Sequence, residues 1–137
     1  MMRRLLVLAA FGLAACNQVP APRVDSEGMA AQKVMDAATT VYAECISGHA
    51  AAIPVGDEAA GSLALGILKT CKAARDDLLV KVAKFRLIGH PKDGQPMADA
   101  VAEASVQAID DELRGNAVVT IVKRQTAAAT VKTDTKI

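Results

Sequence analysis

Three stretches of this 137-residue chain carry apolar residues at steps of three and four, the spacing that lines one face of an α-helix. The first covers residues 29–50, where Val34, Ala38, Val41 and Cys45 form a stripe that Met35, Tyr42 and Ile46 widen. Pro54 and Gly56 then break the pattern, and Asp57 offers an N-cap for a second helix. The second stretch, residues 58–87, lines up Leu63, Ile67, Cys71, Ala74, Leu78, Val82 and Phe85, and ends at Gly89 and Pro91. The third begins near Pro96, a residue favoured in a first helical turn, just after an Asp93-Gly94 turn. Its face is read as Met97, Val101, Ala104, Ala108, Ile109 and Leu113.

Gly115-Asn116 interrupts the third stretch, and Val118-Val119-Thr120-Ile121-Val122 is a β-branched run of strand-like composition. Helix is nevertheless expected to about residue 123, because a lone strand would lack a partner and Lys123-Arg124 suits a helix C-terminus. Residues 125–137, rich in Thr and Ala, read as a frayed tail. The expected fold is all-α: a small three-helix array over residues 29–124.

Ahead of the helices the pattern changes. Arg3 and Arg4 precede an apolar run from Leu5 to Leu13, too short to span a bilayer, which needs roughly 20 apolar residues. A removable export signal over residues 1–15 fits better. Leu13, Ala14, Ala15 and Cys16 resemble the lipobox of bacterial lipoproteins, which runs Leu/Val/Ile, Ala/Ser/Thr, Gly/Ala, Cys. That resemblance implies cleavage between Ala15 and Cys16, diacylglycerol on the Cys16 sulfur and a further acyl chain, such as palmitate, on the new amino terminus. Several acyl chains hold a protein on a membrane durably. The implied partners are the bilayer and the lipoprotein processing and sorting machinery. Asn17, where Asp would argue for inner-membrane retention, favours the outer membrane and its periplasmic side. Residues 16–28, with Pro20 and Pro22, read as a flexible tether.

With Cys16 consumed by lipid, Cys45 and Cys71 remain as an even pair in an oxidising space and are expected to form a disulfide. Both fall on apolar stripes of consecutive helices, as a helix-to-helix staple requires. A metal role looks poor, because neither cysteine belongs to a Cys-x-x-Cys pair or lies near a second histidine ligand. No metal ligand set and no cofactor is expected.

Removal of residues 1–15 takes Arg3 and Arg4 with it and moves the formal charge from +1 to −1, a balance that gives no footprint for nucleic acid. Beyond residue 15 the aromatic residues are Tyr42 and Phe85, without Trp, so stacking platforms for sugars or single strands are scarce.

The region 36–124 also resembles small helical envelope proteins of proteobacteria. The likeness rests on Tyr42-x-x-Cys45, His49-Ala50, Cys71 in the second helix and Leu113-Arg114 in the third. It implies the helical fold and the disulfide, and carries no activity with it.

Candidate chemistry is thin. His49 and His90 fall at helix ends, where histidines commonly meet terminal carbonyls, and Ser47 and Ser62 lack a nucleophile-elbow context. Asp76-Asp77 and Asp110-Asp111-Glu112 read as solvated faces. Met29, Met35 and Met97 with His49 invite comparison with a copper site, although methionine at helical spacing is usually core filler. No catalytic residue is assigned, and a non-enzyme is expected.

The second helix is rich in Lys and Arg and the third in Asp and Glu, so their flanks should pair across the interface. A sharper reading makes Lys69, Lys72 and Lys84 a basic patch for an acidic partner or anionic lipid. The functional expectation is a structural or protein-interaction role in the envelope with an envelope protein as partner. The alternative is a small envelope stress or metal-ion-binding protein.

Overall fold

A computed structural model describes residues 26–134. The signal segment, the lipobox with Cys16, most of the expected tether and the last three residues lie outside the described residues. Four helices succeed one another: α1 (Ser26–Ala52), α2 (Ala60–Thr70), α3 (Lys72–Gly89) and α4 (Gly94–Asp134), with no strand among the described residues. The β-branched run at Val118–Val122 is helical, as the absence of a pairing partner requires.

The second expected helix is divided in two. Cys71 takes φ −87°, ψ 13°, off the α-helical ψ of about −42°, while its N–H still reaches the Ile67 carbonyl at 3.0 Å. This one-residue irregularity redirects the chain: α2 packs mainly on α4, whereas α3 packs on both α1 and α4. No residue in the apolar line announces the break, because Cys71 continues the stripe into the core.

The core is built largely from small residues. Ala38, Ala50, Ala64 and Ala117 join Tyr42, Ile46, Leu63, Ile67, Leu78, Val106 and Ile121 in one buried cluster, and Ala83, Ala98 and Ala102 form a second where α3 meets α4. Alanine buries little surface, so each contact contributes less than the roughly 1.5–3 kcal/mol of a buried Leu or Val.

The buried stripes are rotated from the expected ones. On α1 the buried line is Ala38, Tyr42, Ile46 and Ala50, and Val34 and Val41 face solvent. On α4 it is Ala98, Ala102, Val106, Asp110, Ala117 and Ile121, while Met97, Ala104 and Ala108 are exposed. The expected first stripe therefore keeps Ala38, Tyr42 and Ile46 in the core with Met35 and Cys45 packed against them, whereas the third is displaced onto the line of Ala98, Ala102 and Val106.

Two boundaries differ for identifiable reasons. Asp57 does not cap α2; Ala59 holds the N-cap position without a side-chain bond. Instead the Gln125 side-chain amide, reaching across from α4, donates to the carbonyls of Gly56 and Glu58 at 2.9 and 2.8 Å. Arg124 does serve a helix C-terminus, but that of α1, donating to Ala50 and Ile53 carbonyls at 3.0 and 2.6 Å. These bonds fix α4 at residues 124 and 125, and beyond them the exposed run Ala127-Ala128-Ala129, of high helix propensity, carries α4 to its end at Asp134. At 1.5 Å per residue α4 is about 62 Å long.

The turn into α4 carries one positive φ, Gly94 at 70°. Gly94→Ala should lower stability by about 1–2 kcal/mol, the cost of a Cβ in left-handed conformation. Gly115→Ala, at an exposed helical site with open space around it, should instead raise it by about 0.5–1 kcal/mol. Urea unfolding of the two variants checks both signs.

Candidate functional site

The i, i+4 spacing that buries Ala38, Tyr42 and Ile46 drives the tyrosine phenol into the centre of the bundle, where it is fully buried. On α4 the same spacing, from Val106 to Asp110, carries a carboxylate into that centre, leaving Asp110 only 6% exposed. The Tyr42 hydroxyl donates to Asp110 Oδ1 at 2.6 Å. From α3, Arg75 Nε donates to Asp110 Oδ2 at 2.7 Å, and its Nη2 donates to Glu103 Oε1 at 2.7 Å. Both carboxylate oxygens are thereby occupied, and no buried side-chain polar atom among the described residues lacks a partner.

Energetics explain why the three groups occur together. A buried carboxylate without partners costs several kcal/mol, and removing one member of a buried pair typically costs about 3–5 kcal/mol. Burial raises the Tyr42 pKa above its ordinary value, and the hydrogen bond to Asp110 and its negative charge add to the shift; Arg75 opposes it. Arg75 is itself held more firmly protonated by its hydrogen bonds to Glu103 and Asp110, against the cost of its burial. A neutral phenol and a fixed guanidinium are donors, and the carboxylate accepts from both. The chemistry of this assembly is to join α1, α3 and α4.

One turn further along α1 lies the second cluster. Cys45 and Cys71 form a disulfide with Cα atoms 6.0 Å apart, joining α1 to the junction of α2 and α3. Cys71 is buried and Cys45 half-buried. His49, exposed in the last turn of α1, brings a ring nitrogen into a group in which all ligand atoms lie within 4.8 Å of one another. Requiring a second histidine near the cysteines passes over this one; the i, i+4 step from Cys45 to His49 was the available signal.

The remaining candidates separate. Asp110 leaves the solvated face expected of it and enters the core, whereas Asp111, Glu112, Asp76 and Asp77 are exposed or partly so at the surface. The signal for Asp110 was its place on the line Ala98, Ala102, Val106, which the chosen stripe of Ile109 and Leu113 passed over. Met29 and His49 stand 20 residues apart on one helix, about 30 Å, so the methionines and His49 do not make one site. His90 ends α3 and borders a groove of about 470 Å³ with Met35, Val82, Phe85 and Arg86. The Ser47 hydroxyl donates to the Glu44 carbonyl at 3.2 Å, and Ser62 is exposed in α2.

The basic patch is divided. Lys69 and Lys72 border a groove with Arg75 and Asp76, and Lys72 pairs with Asp76. Lys84 lines a separate cleft of about 410 Å³ with Leu79, Asp99 and Glu103. The pairing expected between basic and acidic helices is carried by Arg75, while Lys81–Asp77 stays within α3.

No family model, curated protein or solved structure matches this chain.

Tyr42 is the single tyrosine and the chain has no tryptophan, so tyrosinate absorbance reads one residue. Folding favours its protonated form; the stability this contributes is complete below the ordinary phenol pKa of about 10 and is lost as pH rises above it. The folded chain should therefore show no tyrosinate at pH 10, and its appearance at higher pH should coincide with loss of helix. The guanidinium-unfolded chain should titrate near 10. Half-ionisation near pH 10 in the folded chain would contradict the buried hydrogen bond.

Proposed function

We propose that this chain is a lipoprotein of the bacterial envelope, held on the periplasmic side of the outer membrane through acylated Cys16, with a non-enzymatic structural or protein-interaction role. The observation that carries the reading is the division of its three cysteines. Cys45 and Cys71 pair within the helical body, which leaves Cys16, the thiol directly behind Leu13-Ala14-Ala15. A disulfide between helices suits an oxidising compartment. Among the described residues no helix is long and apolar enough to cross a membrane. In this reading the acyl chains on Cys16 supply the attachment.

The helical body supplies a firm platform for such a role. Its helices are joined covalently at Cys45–Cys71 and by buried hydrogen bonds at Asp110. The exposed rows of α2 and α3, with Lys69 and Lys72 beside Arg75, offer a charged surface to an acidic partner.

Cys16→Ala should abolish incorporation of labelled palmitate in cells and leave the leader uncleaved, while the purified chain keeps its helical content and its Cys45–Cys71 bond. Labelling undiminished in the Cys16→Ala chain would contradict the anchoring.

A further inference from the structure

The sulfurs that make the staple lie beside an imidazole with no hydrogen-bond or ion-pair partner among the described residues. Cys45 and His49 are one helical turn apart on α1, so their side chains share a face. Cys71 approaches that face from the junction of α2 and α3, and the three ligand atoms lie within 4.8 Å of one another. In a tetrahedral zinc site, with Zn–S near 2.3 Å and Zn–N near 2.0–2.1 Å, the S···S and S···N edges are about 3.8 and 3.5 Å. The nitrogen lies within 4.8 Å of both sulfurs, so it needs to close by no more than about 1.3 Å to meet these values. The sulfurs need to part from a covalent bond to about 3.8 Å, and the Cα atoms that carry them stand 6.0 Å apart.

We propose that, when the disulfide is reduced, Cys45, Cys71 and His49 bind a thiophilic divalent cation of the zinc type. A dithiol reductant delivers two electrons and two protons to the bond, giving two thiols and its own disulfide. The cation then displaces both thiol protons to solvent and takes two thiolates and one imidazole nitrogen as ligands. Thiolate and imidazole donors in this ratio suit Zn²⁺ rather than Mg²⁺ or Ca²⁺. Cys45 is half-buried and His49 exposed, so the fourth position opens to water. Staple and metal site are mutually exclusive states of the same two sulfurs. The site does not depend on lipid anchoring, because the two clusters of chemistry share no residue.

The test uses the full chain carrying Cys16→Ala in mild detergent, which removes the third thiol. After reduction by a phosphine, titration with Co²⁺ should develop thiolate-to-cobalt charge-transfer absorption that saturates at one ion per chain and is abolished by Zn²⁺. The disulfide form should develop none. Even an outer-shell partner of a metal is worth about 10–100-fold in affinity, so His49→Ala in the same background should weaken binding at least about tenfold. His49 is exposed, and circular dichroism should show that variant as helical as its parent. If reduction alone unfolds the chain, Zn²⁺ should refold it, since metal binding then contributes folding free energy. A reduced chain that gives no charge-transfer band, one that stays unfolded with excess Zn²⁺, or a His49→Ala chain that binds Co²⁺ as tightly as its parent would overturn the proposal.

Discussion

A carboxylate buried in an alanine-rich core sets the terms for the rest of this molecule. Asp110 is 6% exposed, and its charge is tolerable there because Tyr42 and Arg75 each donate a hydrogen bond to it. Those donors come from α1 and α3, so the acceptor on α4 fixes the rotation and register of three helices at once. A core of small side chains defines such positions weakly by shape. Directional bonds to a buried charge define them strongly.

The disulfide sits next to this junction for the same geometric reason. Tyr42 and Cys45 are three residues apart on α1, and Cys71 and Arg75 are four apart across the start of α3, where the Arg75 N–H meets the Cys71 carbonyl at 3.1 Å. One side of each helix therefore presents a polar donor and, a turn away, a sulfur. With Tyr42 and Arg75 both bonded to Asp110, the two sulfurs lie at bonding distance beside them, and His49 stands one turn on. At the far end, Arg124 and Gln125 repeat the principle without a cysteine by satisfying the open carbonyls of the α1 end and the loop to α2. Covalent, ionic and hydrogen-bonded joints thus supplement the modest burial that alanine provides.

The all-α class, the turn at Asp93-Gly94 and the pairing of Cys45 with Cys71 were legible in the sequence, because helical spacing and an even cysteine pair carry direct physical meaning. The faces were less so. Ala38, Tyr42 and Ile46 of the expected first stripe are buried, but Val34, Val41 and Met97 are exposed, and the structure buries Ala98 and Ala102, which the expected third stripe left out. Asp110 was hidden by its neighbours: in the triplet Asp110-Asp111-Glu112 one carboxylate turns inward and two outward, a distinction set by about 100° per residue. The break at Cys71 is not marked by any local pattern, and the bonds of Arg124 and Gln125 reach partners distant in sequence, which local patterning does not contain. Tyr42-x-x-Cys45 was visible as a pattern, and its meaning emerged only with Asp110 and Cys71 in place.

If Asp110 is what requires Arg75, the cost of losing Arg75 depends on the carboxylate being there. The most direct measurement is the unfolding free energy of Arg75→Met in two backgrounds, the parent chain and Asp110→Leu. With Asp110 present the substitution should destabilise by about 1–3 kcal/mol, the value of a charge-assisted hydrogen bond to a group that becomes partly unpaired. With leucine at position 110 that cost should fall to near zero or change sign, since a well-packed apolar replacement for a buried ion pair is often neutral or stabilising. An equal cost in both backgrounds would contradict the account, and would mean that Arg75 acts through Glu103 and its own packing rather than through the buried carboxylate.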